Sequence, residues 1–222
     1  GISQTDKDDF HYKYKVVVVG DVHSGKTTYL DTLTQNNGKV IDLETSEELS
    51  ERICLHMFEH LLYKVTYWET PGKERSIKYM SNYCLGANMV IVFFDSTKRS
   101  SLDKAERILK ETQICEVPFK ILIGNKIDLI NTKKSLPDPA SQTEAEKLAR
   151  MYNCEYFPCN SSLVDAVSHI YEYQMNQINS LVGKSMDLEN LIGKNIMIGK
   201  RVFTHPNFVK AQKEMSYFDD KP

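Results

Sequence analysis

Lys15-Val16-Val17-Val18-Val19-Gly20-Asp21-Val22-His23-Ser24-Gly25-Lys26-Thr27 is an apolar run that breaks into a glycine-bounded polar loop and then into a helical pattern reaching about Thr34. A buried strand, a tight loop and a helix in that order make a phosphate-binding loop. Successive backbone N–H groups can face phosphate oxygens, a lysine can reach the outer phosphates, and a hydroxyl can hold Mg²⁺. Gly20, Gly25, Lys26 and Thr27 supply those parts, and Asp21, Val22, His23, Ser24 and Thr28 complete the phosphate-side candidates. The plain alternative is a chance match in a strand-to-helix turn, which the correct flanks disfavour. The loop specifies phosphate and leaves the base open.

Outward from the loop, the 222 residues suffice for one well-buried domain with tails. The net charge of -2, with charged residues at 26% and both signs mixed, gives no field that points to nucleic acid. Five cysteines (Cys54, Cys84, Cys115, Cys154, Cys159) without paired spacing argue against a disulfide framework and against zinc, so a reducing compartment is expected. No apolar run approaches ~18 residues and the first residues are polar. The expectation is a soluble, cytoplasmic monomer.

Strand and helix patterns alternate from about Tyr12. Expected strands are Lys13 to Gly20, Arg52 to Phe58, Leu62 to Glu69, Met89 to Asp95, Lys120 to Asn125 and Glu155 to Cys159. Val16 to Val19, Val90 to Phe94 and Ile121 to Ile123 are continuous apolar runs, as parallel strands covered on both faces require. Arg52 to Phe58 and Leu62 to Glu69 flank the short turn Glu59-His60 and should form an antiparallel hairpin at a sheet edge. Helices are expected over Lys26 to Thr34, Ser101 to Ile114, Thr143 to Tyr152 and Val164 to Leu181. In the second of these, Leu102, Ala105, Ile108 and Leu109 make one apolar face, while Lys104, Glu106, Arg107 and Lys110 face water. Asn131 to Gln142, with Pro137 and Pro139, reads as a loop. The fold class is therefore α/β: a doubly wound, mostly parallel six-stranded sheet with one antiparallel edge strand and helices on both faces.

Asn125-Lys126-Ile127-Asp128 ends an apolar strand, at the side where open parallel sheets bind ligands. A carboxylate at Asp128 can accept from the N1–H and exocyclic amine of guanine, a donor pair that adenine lacks. The Lys126 stem can cover the face of the base. Alone, four polar residues after a strand are a weak signal; joined to the phosphate loop they become a strong one. With these two motifs the chain resembles the Ras superfamily of small GTPases, most closely the Rab branch, over about residues 12 to 180. Trp68-Glu69-Thr70-Pro71-Gly72-Lys73-Glu74 stands where that branch has Trp-Asp-Thr-Ala-Gly-Gln-Glu, and Tyr79 through Asn88 and Asp95-Ser96-Thr97 follow the same order of signals.

By that resemblance Lys26 contacts the β- and γ-phosphates, Thr27 ligates Mg²⁺, Gly72 offers its N–H to the γ-phosphate, and Asn125, Lys126 and Asp128 form the guanine pocket. Asn160-Ser161-Ser162 maps onto the fifth family motif, with the Ser161 N–H aimed at the guanine carbonyl. The implied ligands are GTP, GDP and Mg²⁺. Effectors at the switch segments, an exchange factor and an activating protein are the implied partners. Thr45 is the leading candidate for the threonine that completes the Mg²⁺ shell with GTP, with Ser46 behind it. Asp42 to Glu51 can equally be read as a helix start, with Thr45 or Ser46 as an ordinary N-cap.

Four positions depart from the family pattern. Lys73 replaces the glutamine that orients the attacking water, and an ammonium only donates where a glutamine also accepts. Val22 puts a branched side chain where the family often has a small residue. Slow hydrolysis is therefore expected, unless His23 or Glu74 positions the water instead. Glu69 replaces the aspartate that holds Mg²⁺ through water, a change in reach of ~1.5 Å that weakens or rearranges the site. Gly38 takes the place of an aromatic residue beside guanine unless Val40 or Ile41 fills in, so nucleotide should be held more loosely.

Residues 1–11 are expected to be a loose segment, 12–181 the nucleotide-binding domain, and 182–222 an extension whose apolar residues between Leu188 and Phe208 pack as a helix and strand or dock on a partner. No cysteine follows Cys159, so the chain is either truncated or not prenylated. Gly1 fits myristoylation after a lost Met, and fits a tag remnant better. Membrane association would then be peripheral. Beside the switch, a catalytically inactive scaffold for protein interaction accounts for Lys73, Val22 and Glu69; a kinase or ATPase is disfavoured by Asn125 to Asp128.

Overall fold

The computed structural model describes residues 10–132, 135–192 and 202–203. Its centre is β1 (Tyr12–Gly20), whose last five residues are all buried. Neighbouring side chains of a strand point to opposite faces, so the run feeds two cores. Val16 and Val18 join one side with Tyr29, Leu30, Leu33, Val167, Ile170 and Ile178. Val17 and Val19 join the other with Leu102, Ala105, Ile108, Leu109, Ala145 and Leu148. Four consecutive valines thus hold a sheet between two helical layers, which is why no alternation appears in them.

The remaining elements in chain order are α1 (Lys26–Asn37), β2 (Lys39–Thr45), β3 (Ser50–Phe58), β4 (Leu61–Glu69), α2 (Glu74–Ile77), α3 (Met80–Cys84), β5 (Met89–Asp95), α4 (Arg99–Thr112), β6 (Phe119–Asn125), α5 (Ile127–Thr132), α6 (Gln142–Met151), β7 (Glu155–Pro158), α7 (Val164–Ile192) and β8 (Val202–Phe203). Strand order is β2-β3-β4-β1-β5-β6-β7, and the short β8 pairs with the start of β1. The pairs β1–β4, β1–β5, β5–β6 and β6–β7 are parallel, whereas β2–β3 and β3–β4 are antiparallel. The doubly wound α/β class expected from the sequence holds.

Two details differ. The sheet path has β2 in addition to the six expected strands, so the antiparallel strand β3 is covered rather than lying at the edge. Only Ile41 of β2 is buried, and a bulge between Val40 and Asp42 breaks its register, so its period-2 signal was too faint to read. Strand pairing up to Thr45 also removes the helix start considered over Asp42 to Glu51. The hairpin turn is as expected: Glu59 and His60 both take positive φ (45° and 66°), the backbone of a two-residue turn that matches strand twist.

Helix α6 opens on a reciprocal capping box, Ser141 accepting from the Glu144 N–H while the Glu144 side chain accepts from Ser141. Helix α7 runs past the expected end at Leu181 to Ile192. The expected loop of 131–142 is shortened by α5, which ends at Thr132, and by α6, which starts at Gln142, and its Asp138 forms an isolated parallel bridge with Lys98. Of the expected loose segment 1–11, residues 1–9 lie outside the described residues, while Phe10 is buried and His11 exchanges two bonds with the Leu62 backbone, so the order begins two residues earlier than expected; most of the 182–222 extension also lies outside the described residues. Among the described residues no helix is long and apolar enough to cross a membrane.

Candidate nucleotide site

At the carboxyl ends of β1, β6 and β7 a cleft of about 440 Å³ is lined by His23, Gly25, Lys26, Thr27, Thr28, Asn125, Lys126, Asp128, Asn160, Ser161 and Ser162. Three segments far apart in sequence meet there, each leaving the sheet at the end where ligands bind in open α/β folds.

The phosphate end is built by a close approach of backbones. Gly25 has φ 95°, and a Cβ on it would stand 1.9 Å from the Asn125 amide nitrogen, so only glycine fits. Asn125 locks the corner from the other side, donating to the Ser24 carbonyl at 2.8 Å and accepting from the Ser161 N–H at 2.9 Å. Helix α1 then starts with no side-chain cap, which leaves its first-turn N–H groups toward the cleft. The Lys26 ammonium donates to the Gly20 and Asp21 carbonyls at 3.1 and 2.7 Å. Burial lowers its pKa to about 8, with Glu69 and Asp21 opposing. A cation held against two neutral carbonyls and partly stripped of water is chemically suited to an anion.

Thr27 Oγ1 donates directly to Glu69 Oε1. The two residues expected to serve a metal therefore meet, and a hydroxyl beside one carboxylate is a hard-oxygen donor pair that suits Mg²⁺ with phosphate and water as further ligands. Thr45 does not join them. It ends β2 with its hydroxyl 3.3 Å from that of Ser50, and Ser50 in turn pairs with Glu69 across the sheet. Two strand spacings, roughly 10 Å, separate it from Glu69. Ser46 is spent on the Leu49 carbonyl.

At the base end Lys126 takes φ 62° and donates to Asp95 Oδ2 at 2.7 Å. Although burial opposes it, that bond together with the Thr97 hydroxyl and N–H holds the Asp95 carboxyl below its usual range. The fifth motif needs correction. The Ser161 N–H is taken by Asn125 and so does not aim at a base; the exposed N–H one residue on, at Ser162, donates to Asn160 Oδ1 at 3.1 Å. The Ser161 hydroxyl is buried without a partner and would sit 3.2 Å from a Cβ on Gly25.

Several expected residues stand outside the cleft lining. Asp21 turns its carboxylate away, accepting from Lys104 Nζ at 3.0 Å and from the Val22 N–H at 2.9 Å. Ser24 is buried, its hydroxyl on the Asp21 carbonyl. Val22 is 46% exposed. Gly72, at φ 70°, rests on the loop so closely that a Cβ would be 2.7 Å from the Gly20 oxygen and the Val22 nitrogen. Lys73 is exposed next to it. Glu74, one of the two alternatives for positioning water, is committed to Arg107 by two bonds of 2.6 and 3.0 Å; His23 does line the cleft. Gly38 packs against the His56 ring, and Ile41 is buried, with Val40 packed against the core, so neither of these two fills in for the missing aromatic.

Lys104 was expected to face water and is instead only 8% exposed. It lies one turn before Ile108, roughly 40° around the helix from it. That is the border of the apolar face, where a long stem can be buried with its ammonium on a partner. Such a residue looks like an ordinary surface lysine until Asp21 and the Gly72 carbonyl are brought to it.

Comparison with known proteins agrees with this geometry. The Ras family model matches residues 15–180. Ras-related protein RABC1 of Arabidopsis thaliana is 26% identical over 203 residues, covering 90% of this chain and 89% of its own. Ras-related protein RIC2 of Oryza sativa is 29% identical with 80% of each chain covered. GTP-binding protein ypt3 of Schizosaccharomyces pombe is 26% identical, with 79% of this chain and 80% of its own covered.

Proposed function

This chain belongs to the Ras family, near its Rab branch, and on that premise we propose that residues 12–181 form a guanine-nucleotide switch that binds Mg·GTP and GDP and hydrolyses GTP slowly. One observation carries the reading: Lys26, Thr27 and Asp128 line the same cleft. A ligand that needs phosphate contacts at one end and a carboxylate acceptor at the other is a guanine nucleotide.

Each residue then has a part. Lys26 exchanges the Gly20 and Asp21 carbonyls for phosphate oxygens. Thr27 and Glu69 hold Mg²⁺, whose chemistry there is to neutralise charge on the phosphates. Asp128 reads the base, Lys126 covers its face, and the Ser162 N–H replaces Asn160 by the base carbonyl. Gly72 carries the N–H for the third phosphate. The Lys73 ammonium cannot accept a hydrogen bond from water as a glutamine carbonyl can, so the attacking water lacks one of its two anchors. Vesicle traffic is the process proposed from the Rab-like motifs, with effector proteins reading the segments around Thr45 and Gly72 to Tyr83.

Identifying the nucleotide that copurifies, then measuring GDP and GTP affinity beside single-turnover hydrolysis, tests the reading. The expected result is tight guanine binding with slow turnover. Absent or only micromolar guanine binding would leave the scaffold reading, which Val22, Lys73 and the direct Thr27–Glu69 bond favour.

A further inference from the structure

Gly72 and the phosphate loop are joined through a third element that the cleft does not include. The Lys104 ammonium, on α4, donates to the Gly72 carbonyl at 2.6 Å and to Asp21 Oδ1 at 3.0 Å. Its side chain is 10% exposed and that of Asp21 21%. The carboxylate it meets is already fixed by the Val22 N–H, so the pair is held at both ends. One turn further along α4, Arg107 grips Glu74.

We propose that Lys104 is a positioning residue: it latches the Gly72 segment onto the phosphate loop before nucleotide arrives, so that the third phosphate of GTP finds its Gly72 N–H ligand in place. This rests on the guanine-nucleotide reading above. The fit of Gly72 against Gly20 and Val22 has no slack, yet fit alone does not hold a four-residue linker between β4 and α2. Besides Lys104, the ties at the segment and its exit are the Thr70 N–H on the Val18 carbonyl at 3.0 Å, the Ser76 N–H on the Lys73 carbonyl at 2.9 Å, which joins the linker only to α2, and the exposed Glu74–Arg107 and Arg75–Glu48 pairs. An exposed ion pair holds little, whereas a buried ammonium on a carbonyl and a carboxylate holds much more.

The consequence is selective for GTP. GDP makes no contact with Gly72, so its affinity is indifferent to whether the segment is docked. GTP binds the docked form better, and its apparent affinity scales with the fraction docked beforehand. Removing the latch lowers that fraction and so penalises GTP alone.

The test compares Lys104→Met with the unaltered chain in two ways: the affinities of fluorescent GDP and a non-hydrolysable GTP analogue, and amide hydrogen exchange across residues 72–75 in the protein as purified. Expected are a loss of about tenfold in affinity for the GTP analogue, GDP affinity within about twofold, and faster exchange at 72–75. Equal losses for both nucleotides would overturn the latch, because Lys104 would then act through the charge of the loop; unchanged GTP affinity and exchange would overturn it as well. If the unaltered chain binds neither nucleotide, the guanine reading falls and the exchange measurement alone decides the latch. Should circular dichroism show that the Met variant fails to fold, Lys104→Gln keeps a neutral donor and is read instead, with an expected GTP-selective loss of about threefold; no selective loss in it overturns the latch.

Discussion

At the scale of single residues, charge and reach decide what this cleft does. Lys26 has its pKa lowered to about 8 by burial, and phosphate would raise it again. Below pH 8 the ammonium is charged in both free and bound protein, so affinity is flat; above it, binding must take up a proton, and affinity falls. Titrating the GDP dissociation constant from pH 7 to about 9.5 should show a decline approaching tenfold per pH unit at the top of that range. Lys73→Gln restores an acceptor for water, and intrinsic single-turnover hydrolysis should rise between ~10- and 100-fold. No gain, with or without an activating protein, would mean that the glutamine is not what is missing. Glu69→Asp shortens the side chain by ~1.5 Å and breaks its direct bond to Thr27. GDP release from that variant should be accelerated more by EDTA than release from the parent chain, as the vacated space suits a hydrated Mg²⁺.

Between elements, a buried polar relay ties α1, β3, β4 and α7 together beneath the sheet. The His56 Nδ1–H donates to the Asn37 carbonyl at 2.8 Å, its Nε2 accepts from the Tyr67 hydroxyl at 3.0 Å, and Gln174 Nε2 donates to that hydroxyl at 2.8 Å. The Asn37 carbonyl can only accept, so the ring must be neutral for Nε2 to accept in turn. Burial accordingly lowers the His56 pKa from 6.5 to about 4. The unfolded chain takes up this proton near pH 6.5 and the folded chain only near 4, so stability is full above 6.5 and declines as pH falls between the two. Urea denaturation at pH 5.0 against pH 7.5 should show a loss of about 2 kcal/mol from this residue, and His56→Gln should remove that part of the slope. The relay also marks the limit of sequence reading. Elements that bury a continuous face announced themselves: Val16 to Val19, Met89 to Asp95 and the α4 stripe were placed within a few residues. Strand β2 was missed because Ile41 alone is buried, and α2, α3 and α5 are too short to show a period. The loop of the cleft and Asp128 were legible because their chemistry is local, whereas Lys104, Asp95 and the engagement of the Ser161 N–H exist only through partners distant in sequence.

For the whole molecule, the cleft is lined from three segments, within 23–28, 125–128 and 160–162, that leave the central sheet, with Asn125 and Thr32 bonding the 160s loop to the phosphate loop and α1. Unfolding scatters these three segments, so the folded chain alone can bind a nucleotide that touches them all. Mass action then converts base selectivity into thermal stability: ligand at about 100 times its dissociation constant adds about 2.7 kcal/mol, which raises Tm by roughly 5–10 °C in a domain of this size. A thermal melt with GDP should show that shift and one with ADP should not, because Asp128 offers an acceptor to a donor pair that adenine does not have. Asp128→Ala should abolish the GDP shift while leaving the unliganded Tm nearly unchanged, since α5 is a short surface helix that buries none of the main core. An equal shift with ADP would place the recognition in the phosphates alone and remove guanine from the description of this cleft.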